Sequence, residues 1–174
     1  SLLQLIGKKN SKVVGIDIDI RKHALHVYKN HFLKKRLKFI EGSSIDEKIF
    51  KKVLKYSKKF KKILVILDSA HTHNHVLKEL ELYSKLVSHN SHLLVFDTTI
   101  HKYNPARLKK IKRTDISDTK SNPYTAIKSF LKINKKFKLL EKYNFRVFST
   151  NLWNGVLIKY KNEKKLKMNY SFLD

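Results

Sequence analysis

The chain of 174 residues contains no cysteine, and this absence excludes disulfide bonds and metal sites built from thiolates. It also lacks any apolar run near the ~20 residues that a membrane-spanning helix requires, so we expect no membrane span. The first residues show neither a basic start followed by a long apolar core nor a small-residue cleavage site, which argues against a secretory signal. These absences predict a cytoplasmic protein, and the 41% hydrophobic content is typical of a globular chain.

Acidic residues are scarce, because 14 aspartates and glutamates accompany 39 lysines and arginines, for a formal net charge of +25. An excess of this size can draw a protein to nucleic acid. Arginine binds phosphates and base edges most specifically, because its planar side chain forms bidentate hydrogen bonds. It is rare in this chain and occurs only at positions 21, 36, 107, 113 and 146. The lysines are dispersed, and those of Lys51–Lys62 interleave with apolar residues at helical spacing. We interpret the charge as solvated helix faces and keep nucleic-acid binding as an alternative.

Four short, β-branched apolar runs predict strands that are buried on both faces. They are Val13–Ile18, Leu37–Ile40, Ile63–Leu67 and Leu93–Phe96. Capping residues and helical periodicity predict helices at Asp46–Lys58, Asn74–Leu86 and Pro123–Ile133. Strands that alternate with helices form βαβ units, so the predicted class is α/β with a parallel sheet.

The carboxyl-terminal part departs from this alternation. It contains three extended runs, which are Lys136–Leu140, Phe145–Thr150 and Val156–Tyr160. Asn154-Gly155 favours a hairpin turn, so we predict an antiparallel edge of the sheet. The segment His101–Asn122 has little periodicity and predicts a long loop, which is either functional or a disordered insertion. No repeat is present, and the length favours a single domain over residues 1–174.

Residues at the carboxyl ends of the strands form the candidate site, because a doubly wound sheet binds its ligands beyond those ends. Asp17 and Asp19 stand at the carboxyl end of the first strand, where a carboxylate can accept hydrogen bonds from both hydroxyls of an adenosine ribose. The alternative role is a helix cap or an ion pair with Arg21. After the second strand, Gly42-Ser43-Ser44 permits close backbone approach and offers hydroxyls, or it caps a helix.

Asp68 and Asp97 follow the third and fourth strands, so their carboxylates could share a divalent cation such as magnesium. His71 and His75 stand four residues apart, the spacing that zinc sites use on helices, but the glutamate of the HExxH pattern is missing. His71 could instead act as a general base near a metal-bound hydroxyl, since histidine exchanges protons near neutral pH. Alternatively, His71, His73 and His75 cap the helix and pack under the following loop.

Five blocks of the sequence are familiar in their order and spacing. They are KVVGIDIDIR at 12–21, IEGSSID at 40–46, VILDSAHTHNHVL at 65–77, ELYSKLVS at 81–88 and NPYTAI at 122–127. Together they resemble the cephalosporin hydroxylase and rhamnosyl O-methyltransferase family. The likeness extends to about Phe137, is most specific around Asp68 and is looser from Leu139 onward.

The resemblance implies a Rossmann-like class I methyltransferase fold with S-adenosylmethionine as cofactor and, in several members, a magnesium ion beside it. Asp17 would match the acid that holds the cofactor ribose, with Asp19 close by, and Ser43 and Ser44 would lie near the adenosine. Asp68 would match a metal ligand next to the cofactor.

Two departures from the family pattern stand out. The family's second metal-binding strand end usually reads Glu-Asp-Thr, but here it reads Phe96-Asp97-Thr98, so one ligand is missing and Thr98 or Asp19 would have to compensate. Members also begin with a strand and a glycine-rich loop, followed by a serine that opens the first helix. This chain starts at Ser1–Leu5, which resembles that helix. We therefore expect the sequence to be a piece of a longer protein.

The function implied by the resemblance is S-adenosylmethionine-dependent O-methylation of a sugar hydroxyl on a surface glycan or a related small molecule. Asp68 and His71 would be the catalytic residues, Asp68 and Asp97 would hold the metal, and the loop His101–Asn122 would cover the acceptor. A glycan or small molecule is thus the expected partner, and homo-oligomerisation stays open. The alternatives are a partner in oxidation resembling cephalosporin hydroxylase and a catalytically inactive methyltransferase-like scaffold.

Overall fold

The computed structural model describes residues 10–102, 106, 119–144 and 150–161. Within it the chain divides into two compact units, residues 1–56 and 57–174. The single domain therefore stays a prediction. The predicted helix from Ser1, most of the predicted loop after His101 and the extended run at 145–149 lie outside the described residues.

The first unit contains a two-stranded parallel sheet. Its elements are β1 (Val13–Asp17), α1 (Lys22–Asn30), a 3-10 helix (Lys34–Arg36), β2 (Leu37–Glu41) and α2 (Glu47–Ser57). β1 pairs with β2 so that Asp17 lies opposite Glu41, which places both acids at the same sheet edge. The sequence did not predict α1, because this helix buries no residue, has no acid in its first turn and receives no side-chain cap from Arg21.

The second unit contains a four-stranded mixed sheet. Its elements are β3 (Val65–Leu67), α3 (His73–Tyr83), β4 (Ser91–Val95), a 3-10 helix (Thr98–Lys102), α4 (Pro123–Ile133), β5 (Phe137–Leu139) and β6 (Val156–Lys159), with short 3-10 helices at Glu141–Asn144 and Thr150–Leu152. The strand order is β3-β4-β6-β5. β3 and β4 are parallel, whereas β6 runs antiparallel to both β4 and β5. The predicted α/β class and the antiparallel carboxyl-terminal edge are confirmed.

The turn that enters β6 differs from the predicted hairpin. Asn154 and Gly155 follow the 3-10 helix Thr150–Leu152, and β6 then pairs with a strand that has already ended at Leu139. Gly155 is needed here because a Cβ at this position would lie 2.1 Å from the carbonyl oxygen of Val95. The same approach lets the Val95 N–H donate to the Gly155 carbonyl oxygen at 2.8 Å. The Asn-Gly pair therefore serves close backbone packing.

The hydrophobic core of the second unit lies between α3, α4 and the sheet, where Leu80, Leu93, Ile127 and Leu157 are buried almost completely. The prediction that every strand is buried on both faces is wrong for β2 and β3, because Phe39 is 43% exposed and Ile66 is 41% exposed. Periodicity could not reveal this, since an apolar side chain may occupy either face of a short strand. None of the helices in the described part of the chain has the length and apolar character of a membrane span.

Candidate functional site

The parallel strands β3 and β4 deliver two aspartates to one edge of the sheet. Asp68 follows β3 directly, and the N–H of Phe96 continues the strand pairing by donating to the Leu67 carbonyl oxygen at 3.0 Å. Asp97 comes next, with a φ of +53°. This left-handed conformation is uncommon for a residue other than glycine, although aspartate tolerates it better than most. The backbone therefore turns sharply where Asp97 presents its carboxylate.

His71 completes a cluster with these two acids. Its Nε2 lies 2.8 Å from Asp97 Oδ2 and 3.6 Å from Asp68 Oδ1, and one ligand atom from each of the three residues lies within 4.8 Å of the others. The histidine is buried, whereas the Asp68 side chain is 58% exposed and that of Asp97 is 27% exposed. The sequence proposed Asp68, Asp97 and His71 separately, and the fold brings them together. It gave no sign that Asp97 would be the direct partner of His71.

Thr98 is not positioned as a ready substitute for the missing acid at position 96. It is fully buried, and its hydroxyl donates toward the carbonyl oxygens of Trp153 and Asn151. The single hydroxyl hydrogen of threonine is therefore used to hold the segment that precedes β6. Among the described residues of this unit, the acids of the cluster are Asp68 and Asp97, and Phe96 precedes the second of them.

The structure does not support the zinc arrangement that the spacing of His71 and His75 suggested. α3 begins at His73, so His71 precedes the helix and the two rings do not share a helical face. His75 Nε2 instead lies 3.7 Å from Oε1 of the buried Glu79. His73 points to another element, because its Nδ1 lies 2.8 Å from Thr125 Oγ1 in α4.

The proposed cofactor residues lie in the first unit, at the edge where β1 and β2 end. Asp17 is exposed and its Oδ1 accepts a hydrogen bond from the Asp19 N–H at 3.1 Å. Gly42 has a φ of +141° and leaves room for Ile49, so a side chain here would be strained. Asp46, rather than the preceding serines, caps α2, because its carboxylate accepts from the Lys48 N–H at 2.6 Å. Ser43 and Ser44 are therefore not the helix cap.

Known proteins resemble this chain in sequence over a limited segment. Rhamnosyl O-methyltransferases of Mycobacterium tuberculosis (strain ATCC 25618 / H37Rv) and Mycobacterium bovis (strain BCG / Pasteur 1173P2) are 39% identical to it over 64 residues. This segment is 36% of the chain and 26% of each relative, so the match spans about a quarter of the length of these curated proteins.

Solved structures resemble the chain in fold. The MycE methyltransferase from the mycinamycin biosynthetic pathway, in complex with Mg and SAH, aligns with a TM-score of 0.53 and 16% identity. The alignment covers 88% of this chain and 38% of MycE. A second MycE structure that also contains mycinamycin VI aligns equally well. At this identity the likeness shows the fold, and it confirms the predicted methyltransferase-like α/β architecture.

The family assignment comes from the longest match. A profile of the Rhamnosyl O-methyltransferase/CmcI family covers residues 1–160, which include both strand ends with their aspartates and the first turn of α4. The chain therefore belongs to the Rhamnosyl O-methyltransferase/CmcI family.

Proposed function

We propose that this chain carries out S-adenosylmethionine-dependent O-methylation of a sugar hydroxyl on a glycan or a related small molecule. The observation that supports this best is the cluster at the ends of β3 and β4, where His71 lies 2.8 Å from Asp97 and 3.6 Å from Asp68. An acceptor hydroxyl must lose a proton as it is methylated, and the cluster supplies a base with an acid beside it.

His71 is the residue suited to receive that proton. Nε2 is the ring nitrogen that faces both carboxylates, and because a carboxylate can only accept, the neutral ring would carry its hydrogen on Nε2 and keep Nδ1 as the basic nitrogen. Asp97 stabilises the resulting imidazolium, because opposite charges attract strongly at 2.8 Å where burial limits screening. The greater exposure of Asp68 leaves it accessible to an acceptor or an ion. The methyl donor, when bound, supplies a methyl group on a positively charged sulfur, so the protein contributes mainly orientation and proton removal.

Asp68 and Asp97 also fit a magnesium ion. Proteins usually bind Mg²⁺ through one or two carboxylates, with water completing the coordination, and two aspartates with ligand atoms within 4.8 Å satisfy that requirement. Such an ion would lower the pKa of a hydroxyl bound to it. His71 offers a nitrogen, which magnesium accepts less readily than oxygen, so we assign it to proton transfer.

Asp17 is our candidate for the ribose of the methyl donor, with Asp19, Ser43 and Ser44 at the same strand ends. The exposed carboxylate of Asp17 at the end of β1 supports this assignment, because it is accessible to a ligand. We further propose that residues 1–174 act as one methyltransferase-like domain.

Calorimetry with S-adenosylmethionine on the complete protein tests the donor site. We expect Asp17→Ala to weaken binding by about 10- to 100-fold, which corresponds to the loss of one or two hydrogen bonds to a charged group. Glu81→Ala is the matched control, since it removes an exposed acid from α3 without touching a strand end. Equal affinities for Asp17→Ala and the control would reject the ribose assignment.

Methyl transfer is then tested with a radiolabelled donor and rhamnose-containing glycosides as acceptors. We expect His71→Ala to lower kcat at least a hundredfold while the donor still binds, because general bases contribute about 10²–10⁴-fold. Failure to bind the donor would favour the alternative of a catalytically inactive scaffold, for which Phe96 is the motivating feature. Donor binding without transfer to any sugar would overturn the proposed acceptor class.

A further inference from the structure

The first turn of α4 contains a hydroxyl, that of Thr125, which takes part in a capping box. Asn122 is the N-cap of α4, and its side chain accepts from the Thr125 N–H at 3.2 Å. The Thr125 hydroxyl donates to the Asn122 carbonyl oxygen at 2.8 Å and accepts from the Asn122 N–H at 3.1 Å. Asn122 is completely buried, so this capping box is shielded from water. One acceptor position remains on the Thr125 oxygen.

His73 occupies that remaining position, which fixes the state of its ring. Its Nδ1 lies 2.8 Å from Thr125 Oγ1. A carbonyl oxygen can only accept, so the hydroxyl hydrogen must point to Asn122, and the hydrogen shared with His73 must therefore belong to Nδ1. Neutral His73 is thus the Nδ1–H tautomer. α3 gains an anchor from this bond at its first residue, where the N-cap Thr72 makes no side-chain capping bond.

The same turn of α4 contacts the other loop that carries the cluster. The ring of Tyr124 stacks on His101, with centroids 4.2 Å apart and planes inclined by 21°. His101 Nδ1 donates to the carbonyl oxygen of Thr98 at 2.6 Å, since the carbonyl cannot donate. Thr98 directly follows Asp97. Two adjacent residues of α4 are therefore linked, each through one histidine, to the two loops that hold the cluster.

We infer that the first turn of α4 positions the cluster, with Thr125 acting through His73 on the Asp68–His71 loop and Tyr124 acting through His101 on the Asp97 loop. Thr125, His73, Tyr124 and His101 are positioning residues and do not touch the reacting atoms in this role. The 2.8 Å separation of His71 and Asp97 depends on both loops, because each contributes one member of the pair. The positioning of the cluster does not depend on the proposed function; only the expected loss of methyl transfer rests on it.

Matched substitutions at positions 73 and 125 test the first link. His73→Asn keeps a donor where Nδ1 stands, because both atoms are bonded to Cγ, whereas His73→Gln carries its donor one atom further out. Thr125→Ser keeps the hydroxyl, and Thr125→Val removes it. We expect His73→Gln and Thr125→Val to lower kcat by about 10- to 100-fold, with an unchanged KM for the methyl donor, since small misplacements of catalytic groups have effects of this size. The Asn and Ser variants should retain most of the activity.

Nuclear magnetic resonance at a fixed pH provides readouts that do not need activity. The ¹⁵N shifts of His73 should show the Nδ1–H tautomer, and the His71 ring signals should move in His73→Gln and Thr125→Val but not in the conservative variants. The double variant His73→Gln/Thr125→Val should lose no more activity than the more affected single variant, because both substitutions break the same hydrogen bond. Unmoved His71 signals, or the opposite His73 tautomer, would overturn the inference even if methyl transfer is active.

Thermal unfolding of the same variants separates positioning from general stability. Asn122→Ala removes the side-chain part of the capping box but leaves the backbone partners of the Thr125 hydroxyl in place. It should lower Tm without moving the His71 signals. If it moves them as much as Thr125→Val does, the effect is general destabilisation and the inference fails. Moved signals in a protein without transferase activity would leave positioning correct and reject the proposed function.

Discussion

Replacing Thr98 by valine tests how the loop after β4 is held. Valine has nearly the same shape, so the change removes a fully buried hydroxyl together with the hydrogen bond that it donates toward the carbonyl oxygens of Trp153 and Asn151. A buried polar group that loses its partner costs about 1–3 kcal/mol, and we expect about 2 kcal/mol for this variant. For a chain of 174 residues, this corresponds to a fall in Tm of about 4–8 °C.

Denaturant unfolding and calorimetry of three variants measure this effect. Thr98→Ser keeps the hydroxyl and loses a methyl group, so it should cost only about 1 kcal/mol. Thr99→Val is the matched control, because Thr99 also lies in the 3-10 helix but makes no side-chain hydrogen bond within the part of the chain that the structure describes. Although Thr99 is also buried, this variant should be destabilised less than Thr98→Val, because it loses no hydrogen bond of this kind. The reasoning is refuted if Thr98→Val is no less stable than Thr98→Ser.

Three further predictions concern titration and the cluster. Burial, and to a lesser degree repulsion from Lys62, lowers the pKa of His92 below its ordinary value of 6.5. Below pH 6.5 the unfolded chain therefore binds a proton more readily than the folded chain, so stability should increase as the pH rises toward 6.5. His92→Gln should flatten this increase in denaturant unfolding between about pH 5 and 8. Burial, and to a lesser degree the charge of Glu79, raises the pKa of Tyr83 to about 12. The stability that the protonated Tyr83 contributes should therefore be lost as the pH rises from 10 to about 12. Tyr83→Phe should reduce that loss in alkaline unfolding curves. Asp97 is the nearer partner of His71, and Asp68 is the acid better suited to an ion. Added magnesium should therefore restore methyl transfer in Asp68→Asn better than in Asp97→Asn. Equal rescue of the two variants in the radiolabel assay would contradict this division of roles.

The sequence was sufficient to predict most of the strands and the sheet edge at which β3 and β4 end. Runs such as Val65–Leu67 are short, apolar and followed by an aspartate, and two such strands in parallel must end at the same edge. That rule alone brings Asp68 and Asp97 together. The bounds of α4 were also predictable, because Asn122 and Pro123 form a strong start signal that depends only on neighbouring residues.

Features that depend on distant contacts were not predictable from local patterns. α1 buries no residue and has no cap, so neither periodicity nor capping could reveal it. Gly155 looked like a hairpin residue because Asn-Gly is a local turn signal, but its role is set by the Val95 carbonyl oxygen, sixty residues away along the chain. Thr98 looked available as a ligand for a similar reason, since nothing nearby in the sequence indicates that its hydroxyl meets the segment before β6.

With phenylalanine at position 96, Asp68 and Asp97 are the acids that the described strand ends bring to His71. In this chain one aspartate follows each strand, and the aspartate nearer to His71 is also the one with a strained backbone and a partly buried side chain. A carboxylate fixed at 2.8 Å from a buried imidazole is suited to stabilise a proton there, whereas the exposed Asp68 is better suited to an ion that keeps several waters. In the proposed function, proton transfer would therefore depend on the geometry of Asp97 whether or not an ion is bound. This is why the anchoring of its loop, through Thr98 on one side and His101 on the other, matters more here than it would in a site with two acids after β4.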